Sequence, residues 1–218
     1  MGENLTASEG RSSKGYYNID GKDYISVTTV LSHISKPGLY YWYGKHGTQE
    51  CERIKKESAE IGTTVHGLIS RHILGGKVLK KDLKNKKVAN AYKSFLLWYK
   101  QFDVTPDTLT VVDFKTSDYY DKGFELQLAA YINSEPVRAD VGNGWQSELQ
   151  LVNKADGYAG TTDFLYIPLT PSKKELVVVQ LGKEEIKVKE TRIADQNVIE
   201  NRYRTFLALK QFVELWKE

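Results

Sequence analysis

Thr110-Val111-Val112-Asp113-Phe114-Lys115-Thr116-Ser117 sets an acid and a lysine two residues apart at the end of an apolar, β-branched run. The run reads as a strand. Side chains at i and i+2 of a strand leave by the same face, so the Asp113 carboxylate and the Lys115 ammonium point to one place. A carboxylate is a ligand for a hard cation such as Mg²⁺ or Mn²⁺. An ammonium beside it can orient a water or steady a charged phosphate. The same pattern also occurs on solvated strand faces, so its meaning depends on what surrounds it.

Before this strand the chain reads as mostly helical. Tyr16 to Ile19 and Lys22 to Ser26 form a small hairpin around an Asp20-Gly21 turn. A helix starts within Ser26-Val27-Thr28-Thr29-Val30-Leu31, capped by a Ser or Thr, and Lys36-Pro37-Gly38 breaks it. Leu39-Tyr40-Tyr41-Trp42-Tyr43 opens an aromatic helix that ends at Gly44 or Gly47. Gln49 to Ile73 is predicted helical with a break at Gly62, and Ile61, Val65, Leu68, Ile69 and Ile73 fall on one stripe. Gly75-Gly76 ends it. Asn85 to Phe102 is a further amphipathic helix that buries Val88, Tyr92, Phe95, Leu96 and Tyr99.

After the strand, Asp118 to Gly123 is a loop and Phe124 to Ile132 a short helix. Val137 to Val141, Gln146 to Val152, Tyr158 to Ile167, Leu176 to Leu181 and Glu185 to Lys189 read as strands. Turns fall at Gly142-Asn143-Gly144, Ala155-Asp156-Gly157, Pro171-Ser172 and Gly182. Asp195 to Trp216 is a long helix that turns Ile199, Tyr203, Phe206, Leu207, Val213 and Trp216 inward. The expected class is α/β, a mixed and mostly antiparallel sheet flanked by helices. No composition break divides the chain, so residues 15–218 form one domain behind a flexible tail, Met1 to Lys14.

With 218 residues, 40% of them hydrophobic and 27% charged, the chain can bury a substantial core. No apolar run is long enough to span a bilayer. The Ser/Gly/Glu-rich N-terminus lacks the apolar core of a secretory signal. Cys51 is the only cysteine, which excludes an intrachain disulfide and a cysteine zinc site and fits a cytoplasmic or other reducing compartment. The net charge of +3 is small, but Lys77 to Lys87 holds six lysines against one acid. That run could track a phosphate backbone or form a solvated loop. There is no Gly-x-Ser-x-Gly elbow and no phosphate-binding loop, so a small-molecule hydrolase has little support.

Several residues can join Asp113 and Lys115. If Asp156-Gly157 is a two-residue hairpin loop, Glu148 and Asp163 become diagonal neighbours on one face, roughly 7–8 Å apart at the backbone. Asp163 interrupts an apolar strand, Gly160-Thr161-Thr162-Asp163-Phe164-Leu165, and a buried acid there needs a partner or a metal. Gln127 and Tyr131 are i and i+4 on the helix after the lysine strand and share a face. His66 lies at the edge of its helix's apolar stripe, and His72 has no visible partner. The aromatic run at Trp42 could stack on unpaired bases or pack as a core helix.

Gly62-Thr63-Thr64-Val65-His66, Val112-Asp113-Phe114-Lys115-Thr116-Ser117, Gln127-Leu128-Ala129-Ala130-Tyr131 and Gly160-Thr161-Thr162-Asp163 together resemble the motifs of RecB-like nucleases of the PD-(D/E)XK superfamily. Ile25 to Leu31 with Trp42 following is similar to the same group, and nearest to the mitochondrial genome maintenance exonuclease and its phage and bacterial relatives. The resemblance covers roughly residues 24 to 181. It implies a restriction-endonuclease-like core and a Mg²⁺- or Mn²⁺-dependent deoxyribonuclease of the exonuclease kind, acting on single-stranded DNA or duplex ends. It implies Asp113, Asp163 and the Phe114 carbonyl as metal ligands, with His66 and Glu148 as further candidate ligands and Glu148 among the catalytic acids. Lys115 would be the catalytic lysine, and Gln127, Tyr131 and Trp42 would contact substrate. Some relatives carry an iron–sulfur cluster, for which one cysteine does not suffice. The motif order departs from the family: the acidic hairpin follows the Asp-x-Lys strand and the Gln-x-x-x-Tyr helix instead of preceding them. Either the segments are permuted within the sheet, or the chain is rewired, or one of the motif matches is spurious; a non-catalytic nucleic-acid-binding or rewired descendant of the fold is the alternative function. Short turns favour antiparallel pairing of Tyr158–Ile167 with Leu176–Leu181.

Overall fold

The computed structural model describes residues 15–216; the expected tail, Met1 to Lys14, lies outside the described residues. The chain runs β1 (Tyr16–Ile19), β2 (Lys22–Ser26), α1 (Val27–Leu31), α2 (Pro37–His46), α3 (Thr48–Ile73), a 3₁₀ turn (Lys80–Leu83), α4 (Lys86–Gln101) and β3 (Thr108–Lys115). It continues through α5 (Gly123–Ile132), β4 (Glu135–Pro136), β5 (Gly144–Asn153), β6 (Tyr158–Ile167), β7 (Lys173–Leu181), β8 (Val188–Ile193) and α6 (Gln196–Leu215). Among the described residues no helix is long and apolar enough to cross a membrane.

One mixed sheet of eight strands organises the molecule, with the path β1-β2-β6-β3-β7-β8 and with β5 paired to β6 and β4 to β5. The pairs β2–β6 and β3–β7 are parallel and the others antiparallel. β6 does not pair with β7, as the short turn between them suggested. β3 lies between the two, antiparallel to β6 and parallel to β7 along its whole length. The reason is burial: Thr110, Val111, Val112, Asp113 and Phe114 are all buried, and a strand apolar on both faces belongs in the middle of a sheet. The link from β6 to β7 therefore passes across the start of β3. Asp107 fixes that crossing, its carbonyl accepting from the Ser172 N–H at 2.8 Å and its carboxylate from the Ser172 hydroxyl at 2.5 Å.

Alternate residues of β3 and β7 feed two cores. Val111, Leu176 and Val178 pack with Leu128 and Ala129 of α5 and with Ile199, Phe206 and Val213 of α6. Val112, Phe114, Val177 and Val179 pack with Ile61, Val65 and Ile69 of α3 and with Val88, Phe95 and Trp98 of α4. The result is a three-layer α/β/α arrangement with β3 at its centre.

Several local expectations hold. β1 and β2 close on Asp20 (φ 52) and Gly21 (φ 76), the left-handed pair that a two-residue hairpin needs. Ser26 caps α1, its hydroxyl accepting from the Thr29 N–H at 3.0 Å. Others are corrected. α3 runs unbroken through Gly62, which faces the end of β3 near Thr116. The segment 137–141 is not a strand, because Glu135–Pro136 takes the edge position beside β5. The strand expected at 185–189 forms instead at Val188–Ile193, after a loop closed by the Gly182 N–H donating to the Lys187 carbonyl. Trp216, expected inward, is exposed at the end of α6. The aromatic helix α2 buries none of its residues.

Gly160 of β6 is packed against the buried ring of Tyr131. A Cβ there would lie 2.5 Å from the ring, so α5 can seat on the sheet only over a glycine. Gly160→Ala is expected to destabilise the protein by about 1–3 kcal/mol through overpacking, read as a lower urea midpoint.

Candidate active site

The turn between β5 and β6 decides where the acids meet. Asp156-Gly157 is not a two-residue hairpin loop. Asn153 pairs with Tyr158, and the turn spans Lys154 to Gly157. The Asn153 side chain accepts from the Asp156 N–H at 2.8 Å, and the Gly157 N–H (φ 72) returns to the Asn153 carbonyl at 2.9 Å. The added residues shift the register by two, which preserves parity. Glu148 therefore lies directly across from Asp163 and not diagonally. On the other side, β6 and β3 pair through Phe164 and Val112. Continuing that register one step sets Asp163 against Asp113.

Glu148, Asp163 and Asp113 thus form one row across three adjacent strands. The sheet opens along that row: the β6–β3 ladder ends one step before it, and the β5–β6 ladder skips Glu148. Glu148 has φ 52, a left-handed backbone inside a strand that is strained for a non-glycine residue. Like charges placed opposite one another disfavour regular pairing.

Cationic and N–H groups gather on the row. Lys115 Nζ lies 2.8 Å from Asp113 Oδ2, and His66 Nδ1 of α3 lies 3.2 Å from Asp163 Oδ1. The Phe114 N–H donates to Asp163 Oδ2 at 3.2 Å, while the Phe114 ring enters the core under α3 and α4. Gln127 Oε1 accepts from Lys115 at 3.4 Å, and Gln127 Nε2 contacts the Tyr131 hydroxyl at 3.2 Å. Asp113, Lys115, Gln127 and Tyr131 form one continuous chain of contacts. Lys115 also sits 4.7 Å from the centre of the Phe124 ring.

Burial pushes the Asp113 carboxyl up to about 7, with Lys115 opposing and Asp163 reinforcing the rise. Burial acts in the same sense on Asp163, but the hydrogen bond and charge of His66, aided by Lys115, hold it below the usual carboxylate range. Burial alone would lower His66; its bond to Asp163 outweighs that and raises it to about 9. Burial works against the charge on Lys115, and Asp113 more than restores it. Glu148 is raised by partial burial and then by Asp163. One carboxyl of the row is poised to hold a proton while its neighbour stays charged.

Asp113 Oδ2 is buried and has no hydrogen-bond partner, because Lys115 approaches it at charge-contact distance without hydrogen-bond geometry. A buried carboxylate oxygen held by the Lys115 charge, beside a second carboxylate, suits a hard cation. Among the described residues no group of three or more His, Cys, Asp and Glu side chains is arranged to hold a metal ion. The two adjacent carboxylates that could hold one are Asp113 and Asp163.

Two clefts share His66; the first opens onto Glu148 and Asp163 of the row, and the second lies beside Lys115. One, of about 580 Å³, is lined by Gly62, Thr63, Ser70, Glu148 and Asp163. The other, of about 420 Å³, is lined by Lys115, Thr116, Ser117, Phe124 and Lys183. Trp42 lies on α2 outside both and packs edge-on against Tyr43. Sequence reasoning missed Phe124 and Lys183, which only the sheet order brings beside Lys115. No family model, no curated protein and no solved structure matches this chain.

Asp113 and His66 both bind protons more tightly when folded than when unfolded. Such groups stabilise fully below their unfolded pKa, and the contribution is lost as pH rises through the folded value. Their contributions are expected to decline with rising pH, from about 4 to 7 for Asp113 and from 6.5 to 9 for His66. Urea midpoints across pH should show Asp113→Asn flattening the lower window and His66→Gln the upper one. Unchanged slopes in both variants would contradict these assignments.

Proposed function

We propose that the chain is a metal-dependent nuclease that hydrolyses phosphodiester bonds in DNA, built on a permuted restriction-endonuclease-like core. One observation carries this reading: Asp163, Asp113 and Lys115 converge although their strands arrive in an order opposite to that of the PD-(D/E)XK family they resemble. The insertion of β3 between β6 and β7 supports it. Taken in space, β5, β6, β3 and β7 follow one another as the meander and fourth strand of that core would, with α5 leaving the lysine strand.

Asp113 and Asp163 would hold Mg²⁺ or Mn²⁺, with the Phe114 carbonyl as a further oxygen donor. The ion, when bound, supplies charge stabilisation at the scissile phosphate. The protein's own groups do the rest. Lys115 orients the attacking water and donates to the phosphate oxygens. Gln127, held by Tyr131, fixes the Lys115 ammonium in place. His66 holds Asp163 in its charged form. Glu148 faces Asp163 and offers a base whose carboxyl is raised toward neutrality.

A second reading has its own support. Both oxygens of Asp163 already accept from protein donors, His66 and the Phe114 N–H. A site satisfied internally suits a protein that binds nucleic acid without cutting it.

End-labelled single- and double-stranded DNA incubated with the protein and Mg²⁺ or Mn²⁺ separates the two. Cleavage abolished by chelation is expected, with Asp113→Asn and Lys115→Ala slower by roughly 10²- to 10⁴-fold and an unchanged far-ultraviolet spectrum. Binding by the unaltered protein without cleavage favours the second reading.

A further inference from the structure

We propose that the cleft beside Lys115 is a second phosphate subsite, in which Lys183 receives a backbone phosphate next to the scissile one on a DNA strand. This rests on the nuclease reading and extends it to how the substrate lies. The two clefts meet at His66, so a strand lying along both would pass over the acidic row. Their walls differ in charge. The first is lined by Glu148 and Asp163, the second by Lys115 and Lys183 with Asp118 as its one acid. Ser58, Thr116, Ser117 and Phe124 also line the second wall.

Lys183 is held in place by its backbone. It lies in the loop between β7 and β8, and α4 grips that loop from below. Asn90 Nδ2 donates to the carbonyls of Lys183 at 3.1 Å and Glu184 at 3.0 Å. The Ser94 hydroxyl contacts the Gly182 carbonyl at 3.3 Å and accepts from the Lys187 N–H at 3.1 Å. Gly182 leaves no room for a Cβ, which would lie 2.4 Å from the Glu185 carbonyl.

The charge of Lys183 is left over while its neighbours' charges are used. Lys187 pairs with Glu185 at 2.8 Å, and Lys87 pairs with Glu57 and Glu184. Glu57, the acid whose field reaches Lys183, is already taken by Lys87 and Arg53. Among the described residues the Lys183 ammonium has no ion-pair partner. A clamped loop that brings an unpaired lysine to a cleft wall fits a phosphodiester, which asks for charge and no base identity.

The test uses the full chain and a labelled oligothymidylate of about 12 nucleotides, with Ca²⁺ in place of Mg²⁺ for binding by fluorescence anisotropy. Lys183→Ala is expected to weaken binding on the order of tenfold at low salt. It should lower the slope of log affinity against log salt by about 0.7, the loss of one contact to a single strand. With Mg²⁺ it should raise KM more than it lowers kcat. Lys187→Ala, which breaks a surface pair, should match the unaltered protein. If the unaltered protein binds and cuts but Lys183→Ala keeps the same slope and KM, the subsite is overturned and the nuclease reading stands. If the unaltered protein neither binds nor cuts, both fall.

Discussion

The placement of β3 is the constraint from which the rest follows. Its run from Thr110 to Phe114 is buried on both faces, so it must have a strand on each edge and a helical layer above and below. β6 and β7 supply the edges, α5 and α6 cover one face, and α3 and α4 cover the other. Once β3 is fixed, Asp113 and Lys115 emerge at its end where β6 stops pairing. The helix that follows it returns Gln127 to the Lys115 ammonium. The candidate site is a by-product of how a doubly buried strand ends.

Electrostatics at that end are balanced within a small volume. Three acids in a row would repel one another and resist burial, and regular strand pairing fails at their level. Lys115, His66 and one backbone N–H offset part of this cost. A raised Asp113 and a lowered Asp163 are two answers to one problem: a buried pair of carboxyls cannot both stay charged without help. Such tension is common where a ligand supplies the missing countercharge.

Much of this was legible in the sequence where the signal was local. The Ser26 cap, the Asp20-Gly21 turn, the α3 stripe and the shared face of Asp113 and Lys115 depend on neighbours within a few residues. The shared face of Glu148 and Asp163 holds, although they lie opposite and not diagonal, because the turn is longer by two residues and the side-chain period is also two. The order of strands was not legible. A short link such as the one ending at Ser172 normally joins neighbours, and nothing local announces that Asp107 will anchor it across another strand. Phe124 and Lys183 escaped notice for the same reason. The break expected at Gly62 did not form because a single glycine costs a long helix only about 1 kcal/mol, which the buried stripe of Ile61, Val65, Leu68 and Ile69 outweighs.

The central position of β3 has a cost in time. Both of its edge partners, β6 and β7, lie later in the chain. During synthesis the strand emerges before either can cover it, and its apolar, β-branched run is then bare on both edges. Asp113 and Lys115 stand within or at the end of that run, and isolated charges in such a segment oppose its stacking on other copies. Asp113 and Lys115 thus place charge in a segment whose bare edges would otherwise invite pairing with another chain.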